Sequence, residues 1–411
     1  MSRVAFLLGY DLLEPKLDRR VLLEAQSCVA RGHTVEVLCW ARRQPHRELT
    51  GSYGGVVFHR LYQELGVESR PFPLKVPGYL ALVRQMLQRL TTFDPDVVIA
   101  ADLEMLPAAV TGRRFLGYGL IYDSHEDWPA MEAQTSPALG FATKLLERSL
   151  LPAVDAVVTV CETLARRFRR RGKKCCVLLT ARTRHEVDAL IFRPRAEVRR
   201  ELGFGPDDVV AGFVGNLRHK RLEMLLEATE FVHQRDPASR LKVLILGGPT
   251  EVREALAARA ATSVAAARFV FHPMVDYRQV HHYLQALDIG IIQYNWVLWA
   301  HLAIPQKIID YLACGVPILT RNFHERARLV RASGAGLVFK GGEPHQAGEA
   351  LLALEASGLL PRLRRQARRA FAKQLCWERQ EPKLLALIDV LGTRRHREAG
   401  QHTSATPPLG E

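Results

Sequence analysis

Residues 305–319 read PQKIIDYLACGVPIL. Pro305 suits the first position of a helix, where its missing N–H leaves no hydrogen bond unmade. Gly315 can end that helix, and Pro317 cannot continue it. The apolar residues that follow are typical of a buried strand. The stretch therefore predicts a short helix followed by a strand.

Two charged side chains of this helix are predicted to lie on one side. Lys307 and Asp310 are three residues apart, a spacing that places both on the same helical face. The helix N-terminus offers free N–H groups and a partial positive charge, which suit an anion. A carboxylate one turn further can accept hydrogen bonds from sugar hydroxyls. The pattern fits an anion-binding helix, and it also fits a core helix with a surface ion pair.

Strand and helix patterns alternate along the rest of the chain. Buried strands are predicted at residues 4–8, 34–40, 56–61, 97–101, 120–123, 156–160 and 177–179, and then at 209–215, 241–246, 269–271 and 289–292. Such alternation predicts parallel sheets covered by helices on both faces. The fold class is therefore α/β, with two doubly wound modules that face each other across a cleft. Ligands of such sheets bind beyond the carboxyl ends of the strands.

A basic loop follows the first strand of the second module. Residues 212–223 read GFVGNLRHKRLE, with Gly215 and Asn216 where the strand ends. A glycine at this point lets the backbone approach a ligand closely. Arg218 and Lys220 can then neutralise a leaving diphosphate. A solvent-exposed basic turn is the alternative interpretation.

A histidine follows a strand of the first module. Residues 122–129 read YDSHEDWP, directly after a predicted strand. His125 could donate a hydrogen bond to a sugar hydroxyl or to a phosphate. A capping loop with a structural histidine would have the same sequence.

Together these motifs resemble those of the retaining glycosyltransferases of family 4, which have the two-domain GT-B fold. In that family the motif at 305–317 is the donor-site signature, and a glutamate at the position of Asp310 holds the ribose of a sugar nucleotide. The resemblance implies a UDP- or GDP-sugar donor, with no other cofactor. It also implies a sugar or lipid-linked acceptor, in the synthesis of cell-envelope polysaccharide, glycolipid or a related glycoconjugate.

The resemblance also implies roles for individual residues. His125 would lie beside the donor sugar and the diphosphate. Lys220 matches the family lysine that grips the diphosphate, whereas Asn216 replaces the usual arginine and Arg218 could substitute for it. The other residues of the implied donor site are Gly215, Gly247, Gly248, Lys307 and Asp310.

Two departures from the family pattern keep other functions open. The family often has two glutamates eight residues apart, and the first of them falls on Leu302, which cannot bind a sugar hydroxyl. The first glycine loop is reduced to Gly9. A sugar-nucleotide epimerase of the same fold is therefore one alternative, and a non-catalytic sugar-nucleotide-binding protein is another.

The motif positions predict four segments. They are an N-terminal acceptor-binding domain at 1–185, a C-terminal nucleotide-sugar-binding domain at 186–375, a helix at 376–393 that crosses back to the first domain, and a disordered polar tail at 394–411.

The formal net charge of +14 indicates anionic partners. Basic residues cluster at 166–174 and 362–369, and the segment 80–90 carries Arg84 and Arg89 among apolar residues. We expect the first domain to rest on an anionic membrane surface. An ordinary core helix with a solvated basic surface is the alternative. No groove-reading helix or stacking motif is present, so no nucleic-acid partner is expected.

Other kinds of site are not expected. The sequence contains no uninterrupted apolar run of the roughly 18 residues that a spanning helix needs. The seven cysteines lack C-x-x-C spacing, which indicates reduced thiols in a cytoplasmic protein. Together with the expected membrane contact, this predicts a peripheral protein on the inner face of the membrane. Asp94-Pro95-Asp96 is predicted to be a loop, and His281-His282 lacks ligand partners at metal-binding spacing, so no metal is expected.

Overall fold

The computed structural model of the chain describes residues 1–14, 17–42, 49–62, 72–191, 193–218, 220–276, 278–293, 302 and 304–403. The chain forms two compact units. Unit 1 comprises Met1–Thr180 with Glu381–Glu411, and unit 2 comprises Ala181–Gln380.

An eight-stranded sheet is the centre of unit 1. Its strands are β1 (Arg3–Leu8), β2 (Thr34–Ala41), β3 (Thr50–Tyr53), β4 (Val56–Tyr62), β5 (Val97–Ala101), β6 (Gly119–Ser124), β7 (Ala156–Thr159) and β8 (Lys174–Val177). They are ordered β3-β4-β2-β1-β5-β6-β7-β8, and only the β3–β4 pair is antiparallel among the described strands. The order reverses between β1 and β5, so the fold predicts a ligand at the carboxyl ends of these two strands.

Six α-helices connect the strands of unit 1 among the residues that the structure describes. They are α1 (Arg19–Ala30), α2 (Phe72–Phe93), α3 (Leu106–Leu116), α4 (Trp128–Thr135), α5 (Pro137–Leu150) and α6 (Glu162–Arg169). Asp18 begins α1, because its carboxylate accepts a hydrogen bond from the N–H of Val21 at 3.0 Å. Gly117, in the left-handed conformation with a φ of 68°, ends α3.

Unit 2 contains a six-stranded, fully parallel sheet. Its strands are β9 (Val209–Asn216), β10 (Leu241–Gly248), β11 (Phe269–His272), β12 (Ile289–Ile292), β13 (Ile318–Arg321) and β14 (Gly336–Phe339). They are ordered β11-β10-β9-β12-β13-β14. This is the doubly wound arrangement, and its reversal point lies between β9 and β12.

In the described part of unit 2, nine α-helices accompany this sheet, and one more continues into unit 1. They are α7 (Arg184–Leu190), α8 (Arg195–Glu201), α9 (Glu223–Arg235), α10 (Thr250–Ala261), α11 (Val280–Ala286), α12 (Gln306–Ala313), α13 (His324–Ser333), α14 (Pro344–Ala356), α15 (Leu360–Ala370) and α16 (Trp377–Thr403). A π-helical turn, Phe371–Leu375, joins α15 to α16.

The predicted helix and strand at 305–319 are confirmed as α12 and β13. The Tyr311 hydroxyl fixes α12 to the sheet, because it donates to the Gly212 carbonyl and accepts from the Val214 N–H, both at 3.2 Å. Gly290 allows this close packing, since a Cβ there would lie 2.6 Å from the Tyr311 ring. The helix therefore starts at the carboxyl edge of the sheet, as an anion-binding helix requires.

The ends of unit 2 differ from the predicted boundaries by five residues each. The units divide after Thr180 and after Gln380, rather than after 185 and 375. The reason at the first boundary is Arg182, whose carbonyl accepts a hydrogen bond from the Trp377 N–H at 2.9 Å inside unit 2.

The prediction of a disordered tail from residue 394 is wrong for residues 394–403, which continue α16. Arg395 is bound into unit 1, because its guanidinium lies 2.6 Å from a carboxylate oxygen of Asp94. Residues 404–411 of the predicted tail lie outside the described residues. The Asp94-Pro95-Asp96 segment is a structural loop, as predicted: Arg3 and Arg395 bind Asp94, and Asp96 accepts the Arg3 N–H at 2.7 Å.

Most of the basic side chains at 166–171 form ion pairs within unit 1. Arg167 binds Glu147 and Asp127, Arg169 binds Glu162, and Arg171 lies 3.5 Å from Glu147. The apolar stripe of α2 is also used internally, since Leu82, Met86 and Leu90 are fully buried. The basic segment therefore forms ion pairs within unit 1, and the apolar stripe of α2 packs in the core of unit 1. None of the helices in the described chain is long and apolar enough to span a bilayer.

Candidate functional site

The ends of strands β9 and β10 in unit 2 pair through glycines, so no side chain lies between them. Gly215 at the end of β9 has a φ of 127°, and Gly247 at the end of β10 has a φ of 153°. A Cβ on Gly247 would lie 1.9 Å from the Gly215 carbonyl oxygen. Only glycine fits such backbone. With Gly248 beside it, the two strand ends together carry three glycines, whose backbone is not covered by side chains of their own.

Lys307 is the charged group nearest this backbone. Its ammonium lies 3.6 Å from the centre of the Phe213 ring, and a Cβ on Gly215 would be 3.3 Å from it. The ammonium is buried and makes no hydrogen bond within the described part of the chain. Burial lowers the pKa of Lys307 well below its usual value, the Lys220 charge lowers it further, and Asp310 opposes them. The earlier alternative, a surface Lys–Asp pair, is wrong.

Lys220 and Arg326 add positive charge near Lys307. Burial and the Arg326 guanidinium lower the pKa of Lys220 to about 8. Arg326, on α13, is fully buried with its guanidinium 4.5 Å from the centre of the Phe323 ring. A buried arginine in HERARLV was not recognised from the sequence, because its position in an otherwise polar helix predicts exposure. Arg326 therefore acts on Lys220, and Lys220 acts in turn on Lys307 beside Gly215.

Arg218 and Asn216 have other partners. The Arg218 guanidinium is more than half exposed and lies 2.6 Å from the Glu251 carboxylate on α10. The Asn216 side-chain oxygen accepts the Arg218 N–H at 2.9 Å and so shapes the turn after β9. The structure therefore brings Lys220 and Lys307 together, and it places the Arg218 charge on the surface.

Asp310 is buried and ionised. Its Oδ1 lies 2.6 Å from Arg182 Nε and 3.5 Å from His281 Nε2. Burial alone would raise the pKa of Asp310, but His281 and Arg182 outweigh it and lower the pKa to about 2. His281 and His282 are themselves buried rather than on a polar face. Across the described chain, no group of three His, Cys, Asp or Glu side chains is arranged to hold a metal.

His125 in unit 1 lies between two carboxylates. Its Nε2 is 2.6 Å from Asp123 and its Nδ1 is 3.3 Å from Asp102. Burial would lower the pKa of His125, yet Asp123 and Asp102 raise it well above its usual value. The imidazolium is therefore held in one orientation, with both nitrogens directed to protein oxygens. Asp123 is fixed in turn by the Arg20 guanidinium, 2.6 Å away and buried.

Glu126 directly follows His125 and has a perturbed carboxylate. Burial and the Asp102 charge raise its pKa to about 7, against an opposing effect of His125. It follows β6, at the same edge of unit 1 as Gly9. A Cβ on Gly9 would collide with the Glu104 carboxylate, which binds Arg42 at 2.6 Å. This edge therefore combines several carboxylates and cations and is strongly polar.

The family glutamate position is occupied by Leu302, which lies in a turn and is half-buried. The neighbouring residues of the apolar loop, including Trp296 and Trp299, lie outside the described residues. The first carboxylate of the family pattern is therefore replaced by an aliphatic side chain, and Asp310 remains as the acidic residue of this motif.

Two family models match the chain. "Glycosyl transferase 4-like domain" matches residues 17–178, and "Glycosyl transferases group 1" matches residues 208–357. The D-inositol 3-phosphate glycosyltransferase of Nocardia farcinica is 30% identical over 231 residues, which are 53% of this chain and 50% of that protein. The chain thus matches about half the length of its curated relatives.

Solved structures show the same fold. HepE of Anabaena, solved in complex with UDP, has a TM-score of 0.72 at 13% identity, over 94% of this chain and all of that one. Sucrose-phosphate synthase of Thermosynechococcus elongatus has a TM-score of 0.70 at 14% identity, over 98% of this chain and all of that one. The fold is therefore GT-B, and with both domain models matched the chain belongs to the glycosyltransferases of family 4.

Proposed function

We propose that the chain transfers a sugar from a nucleoside diphosphate sugar to an acceptor, with retention of configuration at the anomeric carbon. The observation that carries this proposal is the buried Lys307 ammonium without a hydrogen-bond acceptor in the described chain, beside Gly215 at the end of β9. A buried cation without an acceptor is unfavourable, and a bound anion would satisfy it. A diphosphate is such an anion.

The reaction breaks the bond between the anomeric carbon and the diphosphate oxygen. The electron pair stays on that oxygen, so negative charge grows on the diphosphate as the bond lengthens. Cations placed there bind the transition state more strongly than the substrate and lower the barrier. Lys307 and Lys220 have this role in the proposal, and Arg218 would need to leave Glu251 to share it. Gly215, Gly247 and Gly248 let the diphosphate reach the backbone.

Asp310 and His125 have separate roles in this proposal. Asp310 accepts hydrogen bonds from the ribose hydroxyls. His125 contributes a fixed positive charge at the carboxyl edge of unit 1, because both of its nitrogens are already directed to Asp123 and Asp102. No protein nucleophile is assigned.

Donor binding can be tested with UDP-, GDP- and ADP-sugars in a thermal-shift panel. A ligand that binds only the native state raises the melting temperature. Turnover is then followed as nucleoside diphosphate release with candidate acceptors. Inositol 3-phosphate is the first acceptor to try, because the relatives are named for it. Lys307→Met is the control for the site. If no sugar nucleotide raises the melting temperature, the proposal is wrong.

Leu302 supports a second candidate, a protein that binds a sugar nucleotide without turning it over. Such a protein would show a thermal shift and no diphosphate release with any acceptor. A sugar-nucleotide epimerase would instead form product from the sugar nucleotide alone. The same panel, analysed with and without acceptor, separates the three functions.

The acceptor, in this proposal, is carried at an anionic lipid surface. The support comes from α5 rather than from the segments that the sequence indicated. Phe141 is 69% exposed and Leu145 is 58% exposed, and the exposed Lys144 and Arg148 lie on the same helical face. Glu147 of α5 is directed inward instead, and it is buried against Arg167. An apolar face with flanking cations is typical of helices that lie in a membrane interface.

A further inference from the structure

The two carboxylate oxygens of Asp310 differ in their partners: Oδ1 has neighbouring donors, and Oδ2 has none among the described residues. Arg182 Nε and His281 Nε2 both approach Oδ1, at 2.6 Å and 3.5 Å. No hydrogen bond from the described residues reaches Oδ2. The side chain keeps 10% of its surface exposed. The protein therefore fixes the carboxylate through one oxygen and leaves the other for a donor from outside.

Arg182 is itself held at both ends. Its Nη1 lies 2.8 Å from Glu186, in the first turn of α7, and its carbonyl accepts the Trp377 N–H at 2.9 Å. The residue is 5% exposed. A guanidinium held in this way loses little further freedom when it binds a carboxylate. Arg182 is thus a rigid partner for Asp310, whereas a flexible lysine at the surface would not hold the carboxylate in one orientation.

The sequence makes a fixed carboxylate important here. Asp310 is one methylene shorter than the second glutamate of the family pattern, and Leu302 removes the first. A single oxygen must then recognise the ribose in the proposed donor site. Such recognition requires that the carboxylate be charged and correctly oriented before the nucleotide arrives.

We propose that Arg182 is a positioning residue of the donor site: it holds the Asp310 carboxylate through Oδ1, with Oδ2 presented to the ribose hydroxyls of the nucleotide. The proposal rests on the proposed function, because it assumes that a sugar nucleotide binds at this helix. It adds a residue from the segment before α7, which none of the donor-site motifs includes.

The test compares UDP with 2′-deoxy-UDP by calorimetry, or GDP with 2′-deoxy-GDP if the protein prefers guanine. A hydrogen bond to a charged group contributes about 1.5–3 kcal/mol. We therefore expect the wild-type protein to bind the ribonucleotide at least about tenfold more tightly than the deoxynucleotide. In Arg182→Met, we expect this ratio to fall below about threefold, while diphosphate binding through Lys307 persists. A general loss of stability would weaken both ligands and leave their ratio unchanged.

Two further variants keep the test decisive. Arg182→Lys retains the charge without the planar guanidinium, so we expect an intermediate ratio, and it replaces Arg182→Met if that variant does not fold. Arg184→Met is the matched control, because Arg184 is exposed and lies 3.9 Å from its nearest carboxylate, Glu378. It should keep the wild-type ratio.

The outcomes of these binding experiments distinguish a failure of the Arg182 proposal from a failure of the proposed function. If the wild-type protein binds neither nucleotide, the proposed function is wrong and this inference falls with it. If it binds both and Arg182→Met keeps the full preference for the ribonucleotide, Arg182 does not position Asp310, and the proposed function stands.

Discussion

The ammonium of Lys307 lies 3.6 Å from the centre of the Phe213 ring, and no hydrogen-bond acceptor in the described chain reaches it. The ring offers partial compensation through a cation–π contact. Burial still lowers the pKa of Lys307 well below 10.5. A bound diphosphate would favour the charged form and raise that pKa again.

Nucleotide binding should therefore take up a proton. We expect calorimetry of UDP or GDP at pH 8, in buffers of different ionisation enthalpy, to report uptake of up to about one proton by the wild-type protein. Lys220, with its pKa of about 8, can contribute to the same uptake. Lys307→Met should take up clearly less. Equal uptake by both proteins would show that Lys307 does not face the phosphates.

The same substitution should stabilise the unliganded protein. A lysine whose pKa is lowered by folding binds fewer protons in the native state than in the unfolded state. Stability therefore rises with pH from the lowered pKa up to about 10.5, and the cost is present below that range. We expect Lys307→Met to raise the free energy of unfolding by about 1 kcal/mol at pH 7. If urea unfolding instead shows a lower free energy of unfolding for Lys307→Met than for the wild-type protein, a site built around an unsatisfied cation is contradicted.

Lys220 and Arg218 should differ in their effect on turnover. We expect Lys220→Ala to lower the rate at least about tenfold, roughly 1.4 kcal/mol of barrier. Arg218→Ala should have a smaller effect, because the Arg218 charge lies on Glu251 at the surface. Glu251→Ala is the matched control, since it frees Arg218 and should not slow the reaction. Wild-type rates in Lys220→Ala would mean that the diphosphate is held by other groups.

His125 should remain charged at neutral pH. Folding raises its pKa, so its stabilising contribution is fully present below pH 6.5 and is lost as the pH rises through the raised value. We expect His125→Gln to cost about 3 kcal/mol at pH 6, because it leaves Asp123 and Asp102 without their shared cation. The cost should shrink at high pH. NMR titration of the imidazole Cε1–H resonance should show no transition between pH 5 and 8.

The period of apolar residues predicted the two parallel sheets and the helix at 305–319, since these features depend on local pattern. It did not predict β3, because a short polar strand such as TGSY carries no such period. The continuation of α16 past residue 394 depends on the contact of Arg395 with Asp94, about 300 residues away in sequence. No local signal carries that information.

The proposed donor site rests on local patterns for the same reason. Lys307 and the glycines were proposed because a helix N-terminus and strand ends can be recognised locally. The partners of Asp310 were not found, since Arg182 and His281 come from distant segments. Arg218 was assigned to the diphosphate from its spacing, but its direction is set by Glu251, 33 residues away.

Exposed apolar residues of α5 should decide whether the protein binds lipid. We expect co-sedimentation with anionic vesicles, and weaker binding to neutral ones, because Lys144 and Arg148 flank Phe141 and Leu145. Each cation contributes about 1 kcal/mol at most, so added salt should reduce the binding. Phe141→Ser with Leu145→Ser should abolish it. Leu80→Ser is the matched control, because Leu80 is 60% exposed on α2 and outside this face. Equal binding to neutral and anionic vesicles, or unchanged binding of the double variant, would remove α5 from the proposal and leave a reaction with an acceptor in solution.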